Sequence, residues 1–151
     1  MKINKKEIKI DGSSYKIAIV LPYFNDKLGS ELLSNTIESL VENQVIEENI
    51  KVVRVAGALE IPLACQKTIE KSNPDAVIAL GIVIRGETNH FDLVCNYCYQ
   101  GILDVQLKLS TPIAFGVLSC ENLAQAKERV SKDLLNKGKD AAIAALIQLN
   151  I

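Results

Sequence analysis

Apolar positions along this chain fall into two alternating rhythms. Residues 16–21 (KIAIVL) form a short apolar run that Pro22 ends, as a buried strand does. Leu32, Leu33, Thr36, Ile37, Leu40 and Val41 then recur at helical spacing, which predicts a helix over residues 29–45. Ile50–Val55 is rich in β-branched residues and reads as a second strand. Gly57 interrupts the pattern, residues 60–71 read as helix again, and Asn73, Pro74 and Asp75 make a turn. Ala76–Ile84 is apolar at every position. A strand covered by helices on both faces of a parallel sheet needs that pattern, and the run Arg85, Gly86, Glu87, Thr88 stops it sharply. Val94, Cys98, Gly101, Ile102, Val105 and Leu109 mark the next helix. Residues 112–118 give a fourth strand, and residues 121–133 and 140–149 two closing helices around the break at Asn136, Lys137 and Gly138.

Strands alternating with helices predict an α/β fold with a parallel sheet. The expected architecture is a three-layer α/β/α sandwich around a central four-stranded parallel sheet, flavodoxin-like in kind. Residues 13–151 read as a single domain, and residues 1–12 as a polar N-terminal extension that is either loose or docked on a neighbour. The last helix carries a second message, because residues 141–147 (AAIAALI) are apolar on every side. A surface helix keeps a polar stripe, so this pattern predicts burial against another chain; the alternative is a helix buried within one monomer.

Composition narrows the function classes. Hydrophobic residues make up 48% and aromatic residues 5%, so the core is aliphatic. A net charge of -1 offers neither a basic field for nucleic acid nor a polybasic stretch for lipid. The N-terminal residues hold no apolar run of the signal-peptide kind, and Ala76–Ile84 is far shorter than the roughly 20 residues that span a bilayer. A cytoplasmic protein with reduced thiols is expected. Cys95 and Cys98 form a C-x-x-C, but inside a helix and not at its N-terminus, where a thiol pKa would fall. With no second pair, and His90 the only histidine, small apolar side chains on a packed helix face are the better reading than a redox or metal site.

Ligands of open parallel sheets bind at the carboxyl ends of the strands. Four segments fall at such ends: Tyr23 to Asn25, Ala56 to Glu60, Arg85 to His90, and Phe115 with the residues after it. Gly86, Glu87 and Thr88 precede a helix, where free N–H groups attract an anion and glycine permits close approach. The plain alternative is a helix cap by Thr88 or Asn89. Imidazole titrates in the range that suits proton transfer, although a lone histidine in an exposed turn is often incidental. Glu60 either caps a helix or accepts hydrogen bonds from a polyol. Phe24 is either core or a platform for a flat ring. Arg129 and Lys137 read, by themselves, as solvated charges. No P-loop, dinucleotide fingerprint, zincin motif or nucleophile elbow is present.

Residues 77–94, VIALGIVIRGETNHFDLV, closely resemble the lumazine synthase signature, and four further blocks follow the family in order. Phe24 and Asn25 resemble its F-N pair, and VAGALEIPL at residues 55–63 resembles V-P-G-A-F-E-I-P. FGVL at residues 115–118 resembles the family's fourth strand, and Gln125, Ala126 and Arg129 followed by Asn136, Lys137 and Gly138 resemble Q-A-x-x-R and N-K-G. The resemblance implies condensation of 5-amino-6-(D-ribitylamino)uracil with 3,4-dihydroxy-2-butanone 4-phosphate to 6,7-dimethyl-8-ribityllumazine, the penultimate step of riboflavin biosynthesis. Phosphate and water leave, and neither metal nor organic cofactor takes part. It also implies roles. Phe24 stacks on the pyrimidine, Asn25 lines the same pocket, Ala58 and Glu60 hold the ribityl chain, and Leu59 between them is a further substrate-binding position. Backbone at Val83 and Ile84 reads the pyrimidine edge. Gly86, Glu87 and Thr88 form the phosphate corner with Arg129 as its cationic clamp, and His90 shuttles protons. Phe115 and Lys137 approach from an adjacent subunit.

The implied assembly is a homopentamer or an icosahedral shell of pentamers, with riboflavin synthase as a further partner. Some positions depart from the family pattern: Ala56 replaces proline, Leu59 phenylalanine, Asn89 proline and Asp140 glutamate, and residues 130–135 lack the usual glycines. The alternatives are a relative of archaeal-type riboflavin synthase and a non-catalytic shell protein that binds flavin or lumazine.

Overall fold

The computed structural model describes residues 10–151, and residues 1–9 of the expected extension lie outside the described residues. The elements run β1 (Ile17–Pro22), α1 (Asp26–Glu42), β2 (Ile50–Val55), α2 (Ile61–Ser72), β3 (Ala76–Ile84), α3 (His90–Leu109), β4 (Ile113–Cys120), α4 (Leu123–Val130) and α5 (Lys137–Gln148). The strands lie in the order β2-β1-β3-β4, with every neighbouring pair parallel. That is the flavodoxin-like order, here with four strands.

Alternation along the inner strands sorts the core into two layers. Ile17, Ile19 and Leu21 of β1 and Ile78 and Leu80 of β3 meet Leu32 and Leu40 of α1, Val130 of α4 and Leu146 of α5 on one face. Ala18, Val20, Val77 and Ala79 meet Ile61 and Cys65 of α2 and Cys98 and Ile102 of α3 on the other. Ile19, Leu32, Leu80 and Leu146 are fully shielded, and each burial contributes about 1.5–3 kcal/mol. All four thiols are buried, and burial pushes those of Cys65 and Cys98 up to about 12. The C-x-x-C residues are packing groups on α3.

Several ends differ from the sequence reading, for local reasons. Helix α1 begins at Asp26 and not residue 29, because Asn25 turns the chain in a left-handed conformation (φ 59°). Strand β4 runs on through Ser119 and Cys120, which pair with Val83 and Ile84. Helix α4 is shorter than residues 121–133: the Asn122 side chain accepts from the Gln125 N–H at its start, and extended Ser131 ends it. The Asn136 side chain accepts from the Lys139 N–H and starts α5 at Lys137, three residues earlier than expected.

Gly138, Ala141, Ala142, Ala145 and Leu146 of α5 are buried within this chain, against α1, β3 and β4. The apolar last helix is therefore satisfied largely inside the monomer, the alternative weighed for it above, and it leaves Ile147 half exposed. The open apolar surface lies on α3 instead, where Leu93, Tyr97, Leu103 and Leu107 are exposed at i, i+4 spacings. At the other end, Ile10 packs on the core and the Gly12 N–H donates to the Asn43 carbonyl (2.8 Å).

Candidate active site

From β1 the chain crosses to β2 on one side, and from β3 to β4 on the other. The loops leaving β1 and β3 therefore diverge, which opens a crevice at their carboxyl ends. A cleft of about 390 Å³ lies there. Pro22 and Phe24 line it from β1, Gly57, Ala58, Leu59 and Glu60 from the turn after β2, and Ile82, Val83, Ile84, Gly86 and Thr88 from β3. His90, Phe91 and Val94 of α3 close it. Of the residues singled out in the sequence, the structure thus brings together Phe24, Ala58, Leu59, Glu60, Val83, Ile84, Gly86, Thr88 and His90.

Phe24 is 73% exposed at the cleft. Its segment is fixed from both sides: the Tyr23 N–H donates to the Val55 carbonyl (2.7 Å) and the Phe24 N–H to the Ala56 carbonyl (3.3 Å). Arg54 strengthens this corner. Its guanidinium donates to the Leu21 and Pro22 carbonyls, pairs with Asp26 and sits 4.3 Å over the Tyr23 ring. An aromatic face held open on a rigid strand end suits stacking on a planar ring. Asn25 does not line the cleft; its amide donates to the Ile82 carbonyl (2.9 Å) and ties α1 to the cleft's floor.

The Glu60 carboxylate serves its own loop with one oxygen, since Oε2 accepts from the Gly57 N–H (2.8 Å). Among the described residues Oε1 has no hydrogen-bond partner, so the structural and the ligand-binding readings coexist. Beyond β3, residues 86–90 are exposed. Among the described residues, the N–H groups of Gly86, Glu87, Thr88 and Asn89 have no acceptor, while the His90 N–H donates to Thr88 Oγ1 (3.3 Å). Asn89 takes the N-cap position of α3 without a side-chain cap bond. A Cβ on Gly86 would meet nothing within 4 Å. The chain's own fold does not require glycine there.

Arg85 closes this corner from behind. Its guanidinium makes a two-bond pair with Asp92 (3.1 and 3.0 Å), donates from Nε to Glu121 (2.7 Å), and lies 4.4 Å over the Phe91 ring. It holds the Asp92 carboxyl below the usual carboxylate range. The pair therefore supports the folded state above that range and weakens as pH falls through it, by a small amount because both groups face solvent.

Besides Asn25, four residues singled out in the sequence do not line the cleft. Phe115 is the third residue of β4 and not its carboxyl end; its ring meets Tyr99 edge-on at 4.4 Å and is 43% exposed. Arg129, near the end of α4, donates to the Gln125 carbonyl (3.2 Å). Lys137, first in α5, pairs with Asp140 (2.9 Å). Both belong to the helical layer opposite α3. Glu87 is exposed beside the cleft but not among the residues lining it. The sequence reading missed Pro22, Gly57, Ile82, Phe91 and Val94 as lining residues. Phe91 and Val94 carried a usable signal, because at i, i+3 they share a helix face beside His90.

Among the described residues, no helix is long and apolar enough to cross a membrane. A protein-family model described as 6,7-dimethyl-8-ribityllumazine synthase matches residues 14–151.

Proposed function

Because this chain belongs to the 6,7-dimethyl-8-ribityllumazine synthase family, we propose that it condenses 5-amino-6-(D-ribitylamino)uracil with 3,4-dihydroxy-2-butanone 4-phosphate. The observation that carries this reading is the cleft at the β1/β3 crevice, with open Phe24 on one side and the unpartnered N–H groups of residues 86–89 on another. Phe24 stacks on the pyrimidine, and main-chain groups of Val83 and Ile84 read its edge. Ala58, Leu59 and the free oxygen of Glu60 hold the ribityl hydroxyls. Gly86, Glu87 and Thr88 seat the phosphate, where several N–H donors have no acceptor among the described residues. Asn25 acts beneath the site by holding the Ile82 carbonyl.

The amine attacks the ketone and a first water leaves to give an imine, phosphate is eliminated, and ring closure by the second nitrogen expels a second water. Holding two reactants in one cleft removes much of the entropic barrier to such a step, and His90 relays protons at the cleft edge. Neither metal nor organic cofactor enters this scheme. Phe115, Arg129 and Lys137 join from a second copy, because in one chain they stand off the cleft. The exposed apolar face of α3 and the open Leu59 and Leu63 beside the cleft support close association of copies. The assembly we favour is a cytoplasmic homopentamer or a shell of pentamers.

Incubating the protein with both substrates and following fluorescent lumazine tests the reaction. Product well above the uncatalysed rate is expected. Binding without turnover would leave a flavin- or lumazine-binding protein, and riboflavin formed from lumazine alone would make it a riboflavin synthase. Arg129→Ala is expected to raise KM for the butanone phosphate roughly 10- to 100-fold, the loss of a charge-assisted hydrogen bond, with pyrimidine affinity unchanged. An unaltered KM would remove Arg129 from the phosphate site.

A further inference from the structure

We propose that Arg85, Asp92 and Glu121 form a clamp that shapes residues 86–89 to receive a phosphate group, with Arg85 a positioning residue and not a phosphate ligand. The inference rests on the reading of that corner given above. An arginine directly before a candidate anion loop invites the opposite assignment, since its planar fork matches phosphate oxygens. The geometry excludes it here. The Arg85 donors are directed to Asp92 (3.1 and 3.0 Å) and Glu121 (2.7 Å), and Arg85 is absent from the residues lining the cleft.

The clamp joins three parts of the chain. Arg85 follows β3, and its N–H continues the ladder to the Cys120 carbonyl (2.9 Å). Asp92 lies in the first turn of α3. Glu121 follows β4, with its N–H on the Gln125 side chain (2.8 Å). The Arg85–Asp92 pair therefore closes residues 85–92 into a ring, and Glu121 fixes that ring to the sheet. Among the described residues no main-chain N–H of residues 86–89 has an acceptor; the loop is tied only at its far end, where the Asn89 carbonyl accepts from the Asp92 and Leu93 N–H groups and Thr88 Oγ1 from the His90 N–H, so its ends govern its shape. The same guanidinium covers the Phe91 ring, which lines the cleft. Charge alone would act the other way: a carboxylate beside an anion site repels the anion, so losing Asp92 eases binding electrostatically, and weaker binding in Asp92→Asn reports the loop.

Asp92→Asn separates the two assignments because they predict opposite signs. If Arg85 bound phosphate, freeing its fork from Asp92 would tighten binding. If it acts as a clamp, the loop loosens and binding weakens. Expected for Asp92→Asn is a rise in KM for the butanone phosphate of about tenfold, since a displaced loop loses converging donors, with affinity for the ribitylaminouracil unchanged. Arg85→Lys keeps the charge but loses the fork and is expected to match it. Should Arg85→Lys fold poorly, Glu121→Gln, at an exposed carboxylate, replaces it.

Binding of inorganic phosphate gives a readout independent of turnover, followed by hydrogen exchange of the amides in residues 86–89. Phosphate slowing exchange in the wild type, with the effect lost in Asp92→Asn, supports the clamp. Protection retained or strengthened in Asp92→Asn overturns it, as does normal turnover in a wild type that phosphate does not protect. Protection in a wild type that lacks turnover would sink the proposed reaction while the response of Asp92→Asn still decides the clamp.

Discussion

His90→Ala is expected to lower kcat by about 100-fold or more, the range of a positioned general acid–base group, with no loss of stability. The two halves of that expectation come from different observations. His90 is the first residue of α3, exposed, and lines the cleft, where the proposed condensation would move protons between amine, ketone and leaving groups. Among the described residues its imidazole has no hydrogen-bond partner; only its main-chain N–H is engaged, by Thr88. Removing the exposed ring therefore breaks no hydrogen bond of the fold, and such surface changes stay within about 0.5 kcal/mol. Steady-state kinetics with thermal melting checks both halves. A loss of kcat with KM nearly constant identifies an interaction made in the transition state. An unchanged kcat would remove the proton relay from His90, and a melting temperature that fell with it would make the residue structural.

Gly138→Ala should have the largest effect on stability among the glycine substitutions considered. Two effects compete. Alanine favours a helix by about 1 kcal/mol over glycine. Against this, a Cβ at position 138 would stand 2.7 Å from the Leu32 carbonyl oxygen, 2.9 Å from Thr36 Oγ1 and 3.0 Å from the Thr36 nitrogen. Two of these are main-chain atoms of α1, and the third is a short, buried hydroxyl. The Leu32 carbonyl also accepts the buried Thr36 hydroxyl (2.8 Å). Helix α5 must therefore move away from α1, which loosens the packing around Leu32, Ala142 and Leu146. Overpacking of this kind costs about 1–3 kcal/mol, or roughly 2–4 °C in Tm per kcal/mol for a chain of this size. Gly86→Ala is the control, since a Cβ there meets nothing within 4 Å. Equal melting temperatures for the two variants would refute the close α1–α5 contact. The N-K-G resemblance thus joins two unlike residues, Lys137, which pairs with Asp140 on the surface, and Gly138, which makes a close helix contact.

What was legible in the sequence follows from how each signal arises. Strand β3 was bounded correctly at both ends, because burial on both faces leaves an uninterrupted apolar run and Arg85 must leave the core. The cleft's three loops were legible because a parallel sheet gathers the strand ends on one edge. The closing helices were less so: Asn122 and Asn136 set their starts through single side-chain caps, which a reading by apolar period does not weigh. The fourth strand was read to end at Leu118, yet Ser119 pairs with Val83, and Phe115 lies inside the strand on either reading and not at its carboxyl end. Phe91 and Val94 were hidden because an apolar helix face looks the same whether it meets core or ligand. The position of Arg129 and Lys137 on the layer opposite α3 is a tertiary fact that no local pattern records.

That separation has a genetic consequence. If every site takes Phe24 and His90 from one chain and Arg129 and Lys137 from its neighbour, one damaged residue of each kind need not fall in the same site. Subunits carrying Phe24→Ala, mixed with subunits carrying Lys137→Ala, would form some junctions in which both defects meet and others in which neither does. Two variants that are each inactive alone would then recover part of the wild-type rate when they assemble together. Two defects within the cleft, Phe24→Ala and His90→Ala, would recover none.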